Sequence, residues 1–178
     1  MTRLFAFVPA LFLSATLIGP ALAITETNFR YSQPRPGYLM LGPADFLPDD
    51  YNVNHSRPNG ESLVTTSIGP ICFHATVRLP HGAKVAHARL FYRKPAEANV
   101  IYLVMRRLNS NLADSQAITP YPPEQPPVAL YGTAAYVTDP ERNEVNNRAF
   151  RYDVQLCLSQ YAELFNVRID YTYTSAGD

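Results

Sequence analysis

The sequence has no tryptophan, only two cysteines and eight glycines, and no excess of charge of either sign. Fifteen lysines and arginines balance fifteen aspartates and glutamates. Nucleic-acid binders carry a basic patch and a high pI, so a chain this neutral is not read as one. No apolar run long enough to span a bilayer follows residue 23. There is no Gly-rich phosphate loop, no His-Glu-x-x-His and no calcium-loop pattern. None of the serines lies in a Gly-x-Ser-x-Gly elbow. No window carries a capped apolar stripe at helical spacing, which argues against a helical domain.

What is present begins with an export pattern. Met1-Thr2-Arg3 is a short basic start, Leu4 to Ile18 is apolar, and Ala21-Leu22-Ala23 is a small-x-small cleavage site. Gly19-Pro20 breaks the helix just before it. About 15 apolar residues, interrupted by Pro9, fall short of the roughly 20 a spanning helix needs. Residues 1–23 are therefore read as a cleaved signal peptide and 24–178 as a single domain, exported to the periplasm or beyond. Losing Arg3 leaves 14 cations against 15 anions, a net charge near −1. In an oxidising compartment an even cysteine count favours a bond between Cys72 and Cys157, two separate buried thiols being the alternative.

The exported part alternates with a period of two. Ile71, Phe73, Ala75, Val77 and Leu79 share one parity, with Cys72, His74, Thr76 and Arg78 on the other. Residues 84–94 repeat the pattern, with Ala86, Ala88, Leu90 and Tyr92 on one side and His87, Arg89 and Arg93 on the other. Residues 100–108 are apolar on both faces, as expected of a central strand. Residues 149–158 and 165–173 alternate again, the last most regularly. Segments 38–41, 62–68 and 128–137 complete about eight strands. Residues 45–60 and 109–127 read as loops, the second because Pro120, Pro122, Pro123, Pro126 and Pro127 cannot donate to a ladder. The fold class is all-β: an antiparallel β-sandwich of jelly-roll or Greek-key type, since connections of such unequal length suit crossovers better than an up-and-down barrel. Both cysteines lie on the polar parity. A bond between them requires Cα atoms within about 7 Å, so strand 71–79 must neighbour strand 149–158.

Four histidines are available: His55, His74, His81 and His87. Counting back from the 80–83 turn sets His74 and His87 opposite each other across an antiparallel pair. A zinc or copper site there needs two or three more ligands, and oxidised cysteines cannot serve. No metal and no cofactor is expected, and the two histidines stand as candidate ligand contacts. Tyr121, in the stiff Thr119-Pro120-Tyr121-Pro122-Pro123, and Tyr51 are candidate recognition residues, with Tyr31, Tyr38 and Tyr161 also near loops. Asn54-His55-Ser56 matches a glycosylation sequon. Asp49, Asp50, Asp139, Glu141, Glu144 and Asp153 are the acids from which a glycosidase pair would be drawn, but no spacing on a β-scaffold fixes their separation.

The stretch Cys72 to Val85, with an apolar strand ending in Leu79-Pro80-His81-Gly82-Ala83, resembles a segment of uncharacterised secreted bacterial β-sandwich proteins. Phe91-Tyr92, Leu103-Val104-Met105-Arg106-Arg107, Val167-Arg168-Ile169-Asp170-Tyr171 and Gly37-Tyr38-Leu39 followed by Ala44-Asp45-Phe46 are similar to further pieces of them. Arg93-Lys94-Pro95-Ala96-Glu97 departs from their pattern. The resemblance implies one β-sandwich domain and no assigned activity. The expected role is a non-enzymatic binding or structural module meeting a glycan or protein surface. The alternative is a carbohydrate-active hydrolase whose acids converge from loops.

Overall fold

The computed structural model describes residues 30–50, 52–95, 101–109, 115–119 and 129–175. Residues 1–23, read above as a signal segment, and Tyr51 and Tyr121 lie outside the described residues. The strands are β1 (Arg30–Leu41), β2 (Leu47–Pro48), β3 (His55–Ser56), β4 (Leu63–Thr65), β5 (Ile71–Val77), β6 (Lys84–Lys94), β7 (Ile101–Asn109), β8 (Ser115–Ala117), β9 (Ala129–Val137), β10 (Phe150–Leu158) and β11 (Glu163–Ser175). They form two sheets, and every ladder is antiparallel. The first has the order β3-β4-β11-β6-β9, with β1 also paired to β11; the second is β2-β5-β10-β7-β8.

From β4 onward the chain passes between sheets at nearly every step. β4, β6, β9 and β11 belong to the first sheet; β5, β7, β8 and β10 belong to the second. Among the described strands from β4 onward, only β7 and β8 are consecutive within one sheet. That alternation is a jelly roll. The apolar parities of both sheets meet between them, where Phe46, Leu63, Phe73, Leu90, Tyr92, Leu103, Met105, Leu156 and Leu164 are fully buried. Each such side chain contributes about 1.5–3 kcal/mol relative to leaving it exposed.

The jelly roll corrects one expectation directly. β5 and β6 are not a hairpin: β5 pairs with β2 and β10, and β6 with β11 and β9. His74 and His87 therefore lie in opposite sheets and cannot face each other. The turn between these strands carries buried apolar residues, Leu79 and Ala83, and so closes the end of the sandwich. It is held by Gly82 N–H to Val145 O (2.8 Å) and Val145 N–H to Ala83 O (2.8 Å). Gly82 has φ 75°, as the turn requires.

Two smaller departures have local causes. A register shift between Asp170 and Tyr171 sets Tyr171 against Val85 and Asp170 against His87. This bulge moves Val85 into the core and Ala86 to the surface. The stretch 45–60, expected to be loop, contains β2, β3 and the 3₁₀ turn Pro58–Gly60, and follows on a second, Pro43–Asp45. Two-residue strands are too short to show a period. The disulfide prediction holds. Cys72 stands directly opposite Cys157 in the β5–β10 ladder, Cα atoms 4.0 Å apart, and the two sulfurs are bonded.

Candidate functional site

The outer face of the first sheet carries two parallel rows of side chains across four strands. Ladder register places Met40 (β1), Arg168 (β11), Arg89 (β6) and Ala135 (β9) in one row. Tyr38, Asp170, His87 and Val137 occupy the next. Directly opposite residues of a sheet point the same way, and residues two apart on a strand do as well. At about 4.8 Å between strands, the rows are about 14 Å wide and lie about 7 Å apart.

The centre is polar and its flanks are apolar. Tyr38 is 62% exposed, Met40 44% and Val137 67%. Asp170 joins the charged groups: Arg168 Nε donates to its Oδ1 (2.7 Å) and Arg89 Nε to its Oδ2 (2.8 Å). Arg89 Nη2 also donates to His87 Nε2 (2.9 Å). Burial opposes ionisation of Asp170, but the hydrogen bonds and charges of Arg168 and Arg89 outweigh it and hold the carboxyl below its usual range. The Arg168 guanidinium lies 4.6 Å from the centroid of the Tyr38 ring, fixing that ring by a cation–π contact. Two cations share one carboxylate, and one of them, Arg89, also holds His87. The Glu-free, Lys-free centre is rigid because each planar group is tied to another.

The second sheet carries a different cluster on its outer face. His74 Nε2 meets Asp49 Oδ1 at 2.7 Å, and its Nδ1 donates to Asp153 Oδ2 at 3.0 Å. Arg106 grips the same carboxylate with Nε (3.3 Å to Oδ1) and Nη2 (3.0 Å to Oδ2). The hydrogen bond to Asp153 does most to raise the His74 pKa above its ordinary 6.5, with the charges of Asp49 and Asp153 assisting against burial and Arg106. For Asp153, burial opposes ionisation, but His74 and Arg106 prevail and lower its pKa. Both His74 nitrogens and both Asp153 oxygens are occupied within the protein. The cluster braces Asp49, just beyond the edge strand β2, to β5, β10 and β7. It offers little to a ligand.

The two candidate histidines thus part company: His87 lies on the outer face of the first sheet, and His74 in the ion-paired cluster of the second. Tyr51 and Tyr121 fall outside the described residues. Arg89, Arg168 and Asp170 were not singled out from sequence. Their polar parity was visible, but that four strands align them in rows depends on ladder order, which no local pattern carries. Among the described residues no group of three or more His, Cys, Asp or Glu is placed to hold a metal ion, and no helix is long and apolar enough to cross a membrane.

No family model and no curated protein matches the sequence. Several solved structures are similar in fold. One is the structure of infectious bursal disease virus Gx strain, with 6% identity and a TM-score of 0.44, covering 81% of this chain. This chain spans only 33% of that one. Another is the C-terminal CBM6 of LamC, a marine laminarinase from Zobellia galactanivorans, with 11% identity and a TM-score of 0.41, covering 75% of this chain and 98% of that one. A mutant carbohydrate binding module of family 29 has 11% identity and a TM-score of 0.42, covering 80% and 94%. At such scores the chemistry of the face rests on its own residues.

Proposed function

We propose that the protein is a non-enzymatic binding module, exported from the cell, that takes a glycan on the outer face of its first sheet. The observation that carries this reading is the pair of rows: an exposed, fixed aromatic ring beside a rigid array of planar donors and one acceptor. A sugar ring presents an apolar C–H face and a rim of hydroxyls. Tyr38 suits the first, and Arg89, Arg168, Asp170 and His87 suit the second. The Ala21-x-Ala23 pattern and the Cys72–Cys157 bond support export, and Edman or mass-spectrometric sequencing of the native protein is expected to begin at Ile24.

A hydrolase needs a carboxylic acid that keeps its proton near neutrality. Asp153 and Asp170, two of the acids in side-chain networks on the sheet faces, are both held below the ordinary range, Asp153 by His74 and Arg106 and Asp170 by Arg168 and Arg89. That disfavours the catalytic alternative.

The test is a glycan array with the mature chain, followed by calorimetry on any hit. Tyr38→Ala and Arg168→Ala are each expected to weaken binding at least tenfold, about 1.4 kcal/mol, with unchanged circular dichroism. A clean miss across the array, or retained affinity in both variants, removes the reading.

A further inference from the structure

A second feature lies on the other sheet, where β7 ends and β10 begins. Leu108, Asn109, Asn147, Arg148, Ala149, Phe150 and Arg151 line a groove of about 330 Å³, at the lower end of small-ligand sites. Its lining contains two arginines and no acid. Arg148 and Arg151 are both exposed, and neither joins an ion pair among the described residues. This contrasts with Arg89, Arg93, Arg106, Arg142 and Arg168, each paired with a carboxylate. A third cation backs the groove: the Arg107 guanidinium lies 4.6 Å from the Phe150 ring centroid and binds the neutral amide oxygen of Gln116 through two nitrogens. Among the described residues none of these three cations joins a carboxylate, in a chain whose overall charge is balanced.

The rim is also preformed. Asn146 N–H donates to the Tyr152 hydroxyl (2.8 Å), and Asn146 Oδ1 accepts from Arg148 N–H (3.2 Å). Ala149 and Phe150 N–H both reach Asn146 O, at 3.2 and 2.9 Å. Asn147 is fixed by its Nδ2 to Leu79 O (2.9 Å) and by its N–H to His81 Nδ1 (3.1 Å). Backbone held in this way costs little to order when a ligand arrives. Guanidinium groups bind carboxylates through paired N–H donors, while Asn147, whose Oδ1 is an acceptor, suits a hydroxyl.

We infer that this groove binds an acidic sugar, a single hexuronate-type ring whose carboxylate lies between Arg148 and Arg151. The site is separate from the face on the first sheet and stands or falls independently of it. Calorimetry with sodium glucuronate at 50 mM salt tests it, with glucose and sodium sulfate as controls. Binding of glucuronate but not glucose is expected, weakening at least threefold at 300 mM salt. Arg148→Ala and Arg151→Ala each reduce affinity about fivefold or more, and the double variant abolishes it. The variants are exposed, so thermal unfolding verifies that each is folded. Glucose binding as tightly as glucuronate and lost in the double variant, or glucuronate affinity retained in the double variant, overturns the inference. So does sulfate binding as tightly as glucuronate, which marks an adventitious anion site only.

Discussion

Gly37 stands opposite Tyr171 in the β1–β11 ladder, and a Cβ built on it would lie 2.7 Å from two atoms of that ring. The aromatic ring fills the space a side chain would take, and in doing so continues into a cluster with Tyr173 and Tyr31. Gly37→Ala is expected to push the ring aside and cost about 1–3 kcal/mol, read as a lower urea midpoint at unchanged m. His74 provides a second prediction at this scale. Its folded pKa is raised, so its contribution is fully present below its unfolded value of about 6.5 and is lost as pH rises through the higher folded value. Stability should therefore decline with rising pH above that point, and His74→Asn should flatten the profile. For Asp153 the sign is opposite: its lowered pKa gives stability above 3.8 that disappears as the solution is acidified through the folded value. An Asp153→Asn variant with an unaltered acid limb would contradict this.

At the scale of elements, cross-strand pairing ties β10 to β5 along seven residues, from Tyr152 against Val77 to Leu158 against Ile71. The disulfide joins this ladder near one end and closes a loop across a sequence separation of 85. The chain-entropy treatment assigns such a loop about 4–5 kcal/mol in the denatured state. Cys72→Ala/Cys157→Ala is expected to lower stability by about 2–5 kcal/mol while keeping the far-ultraviolet spectrum, since the ladder and its apolar face remain. The bulge in β6 has a different consequence. By inverting the phase at residues 85 to 87, it lets Val85 seal the core beside Ala83 while His87 keeps its place on the outer face.

For the whole molecule, the alternation between sheets means that almost every strand pair is remote in sequence. β1 with β11, β4 with β11 and β5 with β10 must all close long loops before their contacts are gained. Folding rates fall as contacting residues become more distant along the chain. With the disulfide intact, refolding from urea is expected on the millisecond-to-second scale, and reduction is expected to slow it further because the β5–β10 closure is no longer prepaid. Stopped-flow rates indistinguishable between oxidised and reduced chains would show that this ladder forms after the rate-limiting step. The same remoteness explains the binding face, since its four strands come from residues near 38, 87, 135 and 168.

The sequence by itself determined the all-β class, most of the longer strands, the Gly82 turn and the pairing of Cys72 with Cys157. These follow from local alternation, from φ restrictions and from the need of two cysteines to meet, none of which requires the neighbours of a strand to be known. It did not determine the sheet order. A strand with one apolar face is equally satisfied by a hairpin partner or by a crossover to the facing sheet, so His74 and His87 looked like neighbours and are on opposite sides. Nor could it foresee a bulge, where one inserted residue shifts the phase without altering composition. Only the tertiary structure brought Tyr38, Asp170 and His87 into one row and, among the described residues, left Arg148 and Arg151 without a carboxylate partner. The reason is physical. Periodicity reports which face of a strand is buried, while a site depends on which strands lie side by side.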